Sequence, residues 1–359
     1  MKNRLAAFTI PLFVSVGIVT GSALAQDRLV IQRDVATFAV LPDGVRHPEG
    51  ITANPKNGDI YVATFDFGPN PNKLLRFASD GHLVAQRDFG ATPLLGLGFD
   101  SVHGKVYVLN FGASKVQRID AAFTGTTPIE DVATVPGIGA PANRTEGNPD
   151  GSTDTIIFGS NSFPAPNAME FDKRGNLFVS DSFQGAIFRI QHVRTCATPC
   201  FAETFVQDPL LATAGFPPFG ANGLAFNSDG SALFIANTGD DRVLKLDMAS
   251  KAITVFAESL NGADGTVFDN RSGLLWVATN QADEVVALNA NGKIVVKLGE
   301  FRGINSDGTP DGLLFPASPV IVGNEIFVTN LAIALTPAVG DEPEEEVTRW
   351  TVSRMTLPQ

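Results

Sequence analysis

The chain has 359 residues and a formal net charge of −12, with 26 Lys and Arg against 38 Asp and Glu. A surface of that sign repels phosphate backbones and anionic lipid headgroups, so nucleic acid and membrane surfaces are not expected partners. Abundant aliphatic residues and 27 Phe, with 35 Gly and 23 Pro but only two Tyr and two Trp, suit many short strands joined by turns.

The amino terminus carries Lys2 and Arg4, an apolar stretch from Leu5 to Val19 that includes Pro11, and Ala23-Leu24-Ala25 before Gln26. This is the layout of a secretory signal, and the stretch is shorter than the roughly 20 residues a spanning helix needs. We expect cleavage after Ala25, a single domain over residues 26–359, no membrane association after cleavage, and a periplasmic or secreted location.

Next comes a repeat at a period of roughly 40–50 residues, the mark of propellers and solenoids. Each copy is an alternating strand, a turn rich in Asp, Asn, Ser and Gly, and a second strand ending in a small or polar residue. Copies run from Glu49 to Thr64, Asn167 to Asp181, Asn222 to Asn237 and Asp264 to Thr279, with weaker ones starting near Gly96 and Ser318. Further strand pairs follow, such as residues 242–247 with 252–256. Four strands per copy predicts an all-β, six-bladed β-propeller of four-stranded antiparallel blades. A β-sandwich does not predict so regular a repeat. Because an open ring would expose sheet edges, residues 35–40 are expected to pair with residues 347–355, closing the ring with strands from both termini. Between the copies, the stretch 137–166 is the longest insertion and a candidate lid. Cys196 and Cys200 are the only cysteines, and in an exported chain so close a pair predicts a local disulfide.

In a propeller the innermost strand of each blade lines the channel, so its first residue sits at one rim. Those positions read Glu49, Gly96, Asn167, Asn222, Asp264 and Ser318. Asn-Gly and Asp-Gly pairs are by themselves ordinary turn signals, but here four oxygen donors share one register ahead of an apolar strand. Two carboxylates and two carboxamides are donors that Ca²⁺, or another hard divalent cation, prefers. Glu49, Asn167, Asn222 and Asp264 are therefore the candidate metal set.

Pro48-Glu49-Gly50, Asn167, residues 222–226 with Ser228-Asp229-Gly230, and Asp264-Gly265 together resemble the motifs of the SMP-30/gluconolactonase family of calcium-dependent six-bladed propellers. The order Glu, Asn, Asn, Asp is also similar to that of the diisopropylfluorophosphatases and paraoxonases. The resemblance implies Glu49, Asn222 and Asp264 as direct calcium ligands. It implies Asn167 as a fourth ligand or as the residue that positions a water or the substrate. The sugar lactonases of the family typically carry an Arg two residues before the third-blade Asn and an Asp just after it. This sequence has Ala165-Pro166-Asn167-Ala168, which removes a donor suited to sugar hydroxyls.

The segments leading into the inner strands are apolar: Phe163-Pro164, Phe216 to Phe219 and Phe315-Pro316, with Phe65 and Phe67 on a nearby loop. Phe163, Phe216, Phe219, Phe315 and Ser318 are the expected substrate pocket, an apolar funnel with a few polar groups. The expected activity is metal-assisted hydrolysis of a lactone, ester or phosphotriester that is relatively apolar. Asp264, Glu49 and Asn167 are the catalytic candidates, a carboxylate acting on water or as nucleophile. His47, two residues before Glu49, is the one histidine placed to shuttle a proton. The alternative is a non-catalytic propeller that binds a ligand or protein around a structural calcium. The oligomeric state is not encoded in any feature read here.

Overall fold

The computed structural model describes residues 28–159 and 163–358, so the signal expected over residues 1–25 lies outside the described residues. Six antiparallel sheets follow one another along the chain. Their innermost strands are Pro48–Ala53, Leu94–Asp100, Pro166–Phe171, Ala221–Phe226, Ala263–Asp269 and Pro316–Val322, and each touches the next in a closed ring. The architecture is a six-bladed β-propeller.

The last blade is built from both ends of the chain. Ala36–Val40 pairs antiparallel with Thr351–Thr356, which continues through Glu325–Asn330 to the inner strand Pro316–Val322. The expected closure is therefore present. The fifth blade departs from four strands: Val30–Gln32 adds in parallel to its outermost strand, Ile294–Leu298. That addition covers a row of backbone groups that would otherwise form an open edge.

The hairpins follow from their turn residues. In the fourth blade Ala221–Phe226 turns through Asn227 to Ser231 into Ala232–Asn237. Gly230 takes φ 79°, the left-handed region where a side chain is strained, and its N–H donates to the Asn227 carbonyl at 3.0 Å. The Asn227 side chain accepts from the Ala232 N–H at 3.0 Å and the Asp229 side chain from the Ser231 N–H at 2.8 Å, fixing the register of the pair.

The second strands are buried along their whole length, as Ile60–Thr64, Leu177–Asp181 and Ala232–Asn237 show, because a blade packs on both faces. The apolar clusters accordingly lie between blades: Tyr61, Leu74, Val106 and Val108 between the first and second, Trp276, Val285, Ile326 and Val328 between the fifth and sixth. Each such side chain contributes roughly 1.5–3 kcal/mol of burial, which makes the ring a rigid frame for what its inner strands present.

One irregularity positions the site. In all six inner strands the pairing skips two residues: 49–50, 95–96, 167–168, 222–223, 264–265 and 317–318. Released from the ladder, the strand bends there and re-aims a side chain. The second residue of each pair is small because neighbouring strands touch at that point. A Cβ on Gly50 would collide with the Leu95 carbonyl, and one on Gly223 with the Asp264 carbonyl.

Candidate metal centre

The bulges set the register of the rim, and they correct the sequence reading in two blades. The first residues of the skipped pairs are Glu49, Leu95, Asn167, Asn222, Asp264 and Ala317. Gly96 and Ser318 are the second residues, equivalent to Gly50, Ala168, Gly223 and Gly265. Ser318 thus sits one step deeper and does not line the cavity above. Its side chain instead acts on the Glu49 carboxyl, favouring the ionised form against the effect of burial.

The structure brings the four candidate ligands together around one cavity of about 80 Å³. All four are buried, with exposures of 3–5%. Their second atoms are held by the frame. Asn167 Nδ2 donates to Ser182 Oγ at 3.0 Å, and Asn222 Nδ2 donates to Thr238 Oγ1 at 3.0 Å. Asn280 Nδ2 donates to Asp264 Oδ2 at 3.2 Å. The Glu49 backbone is fixed by Thr329, whose hydroxyl donates to the Glu49 carbonyl at 2.7 Å.

With one side of each group committed, the other side is free. Glu49 Oε2, Asn167 Oδ1, Asn222 Oδ1 and Asp264 Oδ1 are buried and have no hydrogen-bond partner among the described residues. A single orphaned buried acceptor costs about 1–3 kcal/mol, so four at one spot mark a place for a ligand that supplies positive charge. Burial, then the charge of Asp264, holds the Glu49 carboxyl well above the ordinary carboxylate range. Burial likewise raises Asp264 to about 7, with the Asn280 and Asn222 side chains acting the other way. Two carboxylates that resist ionisation together, and two carboxamides turned oxygen-first, fit a hard divalent cation.

Residues 217–299 match the model of the SMP-30/Gluconolactonase/LRE-like region. The match falls on blades four and five. It contains Asn222 and Asp264, while Glu49 and Asn167 lie outside it. No curated protein matches the sequence. Among solved structures, the chain is similar to a luciferin-regenerating enzyme, with TM-score 0.59 and 14% identity over 88% of this chain and 92% of that one. It is similar to regucalcin, a calcium-binding protein from Agrobacterium tumefaciens, with TM-score 0.58 and 14% identity over 91% and 95% of the two chains. A gluconolactonase from Xanthomonas campestris gives TM-score 0.54 and 14% identity over 89% of each. At such identities the likeness is one of fold.

Outside the ligand set, the rim of this SMP-30/gluconolactonase-like propeller divides into two arcs. The residues that follow the second strands are Phe65, Phe111, Ser182, Thr238, Asn280 and Leu331. Blades three to five thus present polar groups that hold ligands, and blades six, one and two present hydrocarbon. Phe65, Leu95, Phe111, Ala165, Phe315 and Leu331 form one apolar cluster, against which Phe219, Ile333 and Leu335 pack. Phe219 and Phe315 line the cavity as expected. Phe163 and Phe216 do not: they are exposed by 43% and 55%, Phe163 resting edge-on against Phe111 farther out. Ser182, Thr238, Asn280, Leu331, Ile333 and Leu335 were not singled out from the sequence. The first three had a detectable signal, a polar residue fifteen or sixteen positions after each ligand.

Other expected features lie off the cavity. His47 Nδ1 is 3.1 Å from the Leu331 carbonyl, its ring packs edge-on against Trp350, and it contributes nothing to the lining. Within the 137–166 insertion a hairpin pairs Arg144–Gly147 with Thr153–Ile156. Arg144 ties it to Asp240 of the fourth blade at 2.8 Å. Cys196 and Cys200 are joined as a disulfide, with Cα atoms 5.7 Å apart, in the loop between the last two strands of blade three.

Proposed function

We propose that this protein is a divalent-cation-dependent hydrolase, with Ca²⁺ as the cation and a relatively apolar lactone, ester or phosphotriester as substrate. The observation that carries the reading is the set of four partnerless buried oxygens beside an apolar arc. Glu49, Asn167, Asn222 and Asp264 would hold the cation, which when bound supplies Lewis-acid polarisation of a carbonyl or phosphoryl oxygen. The chain's own residues do the rest. The arc of Phe65, Phe219, Phe315 and Leu331 excludes water and takes the substrate's hydrocarbon. Asp264 and Glu49 are the groups able to accept a proton from an attacking water or to attack directly, and Asn167 orients the reacting group. Ala165, buried in the apolar cluster where sugar lactonases typically carry an Arg, supports an apolar substrate over a sugar. The amino-terminal layout supports export to the periplasm or beyond.

Turnover of aryl esters, lactones and a phosphotriester by the purified protein, with calcium and with chelator, tests the proposal. No turnover of any class in saturating calcium would sink it, as would full activity of Asp264→Ala. The cavity volume of about 80 Å³ favours a second reading, in which a structural calcium completes a binding propeller. Calcium binding without any hydrolysis would select that one.

A further inference from the structure

The inner strands also define the lower half of the channel, away from the metal centre. Three residues past the ligand position, one register reads Thr52, Gly98, Glu170, Ala225, Val267 and Val320. The next reads Ala53, Phe99, Phe171, Phe226, Phe268 and Ile321. One carboxylate therefore stands in an otherwise small or apolar register, next to a register with four phenylalanines. At a rise of about 3.3 Å per residue it lies on the order of 10 Å from the Asn167 position.

Glu170 lines two cavities, one of about 390 Å³ and one of about 710 Å³. In the first it is the only titratable lining residue, facing Phe99, Met169, Phe171, Val320 and Ile321. Among the described residues it forms no ion pair, and its carboxylate meets only the Phe171 N–H. Three cations border the second cavity: Arg189 pairs with Glu203 at 2.5 Å, Lys173 donates to the Ser228 carbonyl at 2.6 Å, and Arg174 forms no ion pair among the described residues, with Glu170 or with any other carboxylate. Burial keeps the Glu170 carboxyl up at about 7.

We propose that this lower channel is a second ligand site that takes an organic ammonium, its charged head on Glu170 and its apolar body against Phe99, Phe171 and Met169. A metal ion is a poor match, because one carboxylate and the Thr52 hydroxyl fall short of the six or so oxygens a hard cation gathers. A neutral apolar ligand would leave the carboxylate unpaired in a confined space. An ammonium satisfies both demands, its charge pairing the carboxylate and its hydrocarbon meeting the apolar wall. The proposal does not depend on the hydrolase reading.

Calorimetric titration of the calcium-loaded full chain with phenethylammonium and with the neutral 2-phenylethanol, near pH 8, tests it. The expected result is saturable binding of the ammonium, with the alcohol weaker by about tenfold or more. Glu170→Gln should bring the ammonium down to the level of the alcohol while leaving calcium binding unchanged. Equal binding of ammonium and alcohol by the native protein, ammonium binding retained by the Glu170→Gln variant, or no saturable ammonium binding would each overturn the proposal. The first and last comparisons need no variant to fold.

Discussion

Thr238 tests whether the frame aims the metal ligands. Its hydroxyl accepts from Asn222 Nδ2 at 3.0 Å, and that one bond decides which end of the carboxamide faces the cavity. Thr238→Val keeps the shape and removes the acceptor. The orphaned buried donor should cost about 1–3 kcal/mol of stability in the absence of calcium. Freed from its partner, the carboxamide can rotate and present N–H to the cation, so calcium affinity should fall about 10–100-fold, the usual loss for an outer partner of a metal ligand. Calcium at a hundred times its dissociation constant stabilises the native protein by about 2.7 kcal/mol, and a tenfold weaker variant would lose about 1.4 kcal/mol of that at the same concentration. Thermal melts with calcium and with chelator, beside a calorimetric titration, separate the two effects. Thr238→Ser, which restores the acceptor, should restore affinity. If Thr238→Val melts lower yet binds calcium within about twofold of the native protein, Asn222 is not oriented in this way and the argument fails.

Three further outcomes are expected. Asp264 is raised by burial from 3.8 to about 7, so the stability it contributes in the metal-free protein is fully present below 3.8 and lost as pH rises through about 7. Metal-free Asp264→Asn should therefore melt above the metal-free native protein near pH 8, and should show no calcium-dependent shift; a variant that melts lower, or still responds to calcium, contradicts the assignment. Glu170 moves the same way, from 4.5 to about 7, so Glu170→Gln should remove about 3 kcal/mol of the stability lost between about pH 5 and pH 8, read from denaturant unfolding at the two values. Leu335→Ser, on the apolar arc, should lower kcat/KM for long-chain aryl esters by about tenfold while leaving aryl acetates within about twofold, and equal losses on both would remove that loop from the substrate path.

The blades were legible because each hairpin carries its own turn chemistry, as in Asn227 to Ser231, and because Val35 and Met355 bracket strands that nothing else could pair. The grouping of Glu49, Asn167, Asn222 and Asp264 around one cavity was legible because the four share a repeat position. The slip at Gly96 and Ser318 has a physical origin. The bulge places two residues outside the ladder, and where the first is apolar, as at Leu95 and Ala317, the small second residue passes for a shortened ligand. Glu49-Gly50, Asn222-Gly223 and Asp264-Gly265 held the corrective signal, a ligand followed by the small residue that the neighbouring strand requires. Val30–Gln32 was not legible, because a three-residue strand pairing in parallel with a distant edge leaves no local pattern. Glu170 was missed for the opposite reason: it sits inside a regular alternating strand, and only comparison with Thr52, Gly98, Ala225, Val267 and Val320 shows it to be out of place.

The two ends of the channel should be coupled through charge alone, and the coupling should depend on pH. With calcium bound, two positive charges meet the carboxylates of Glu49 and Asp264, and the upper site is neutral. Without calcium burial holds both carboxyls up, Asp264 to about 7, so near pH 6 a proton on Asp264 stands in for part of the cation's charge. Glu170 thus faces a smaller change of charge above it near pH 6 than near pH 8, and amine affinity near pH 6 should differ less between calcium and chelator. Near pH 8 Asp264 has lost its proton in the metal-free protein, which adds a negative charge on the order of 10 Å from the ammonium. Coulomb attraction over that distance is about 0.4 kcal/mol at the dielectric of water and about 1.7 kcal/mol at an effective value near 20. The Asp264 charge alone should therefore let chelation strengthen amine binding roughly two- to fifteenfold near pH 8, and by less near pH 6. Amine binding that calcium strengthens would have the wrong sign for two sites coupled by charge along one axis, whereas mutually exclusive binding of amine and calcium would place the amine at the metal centre itself.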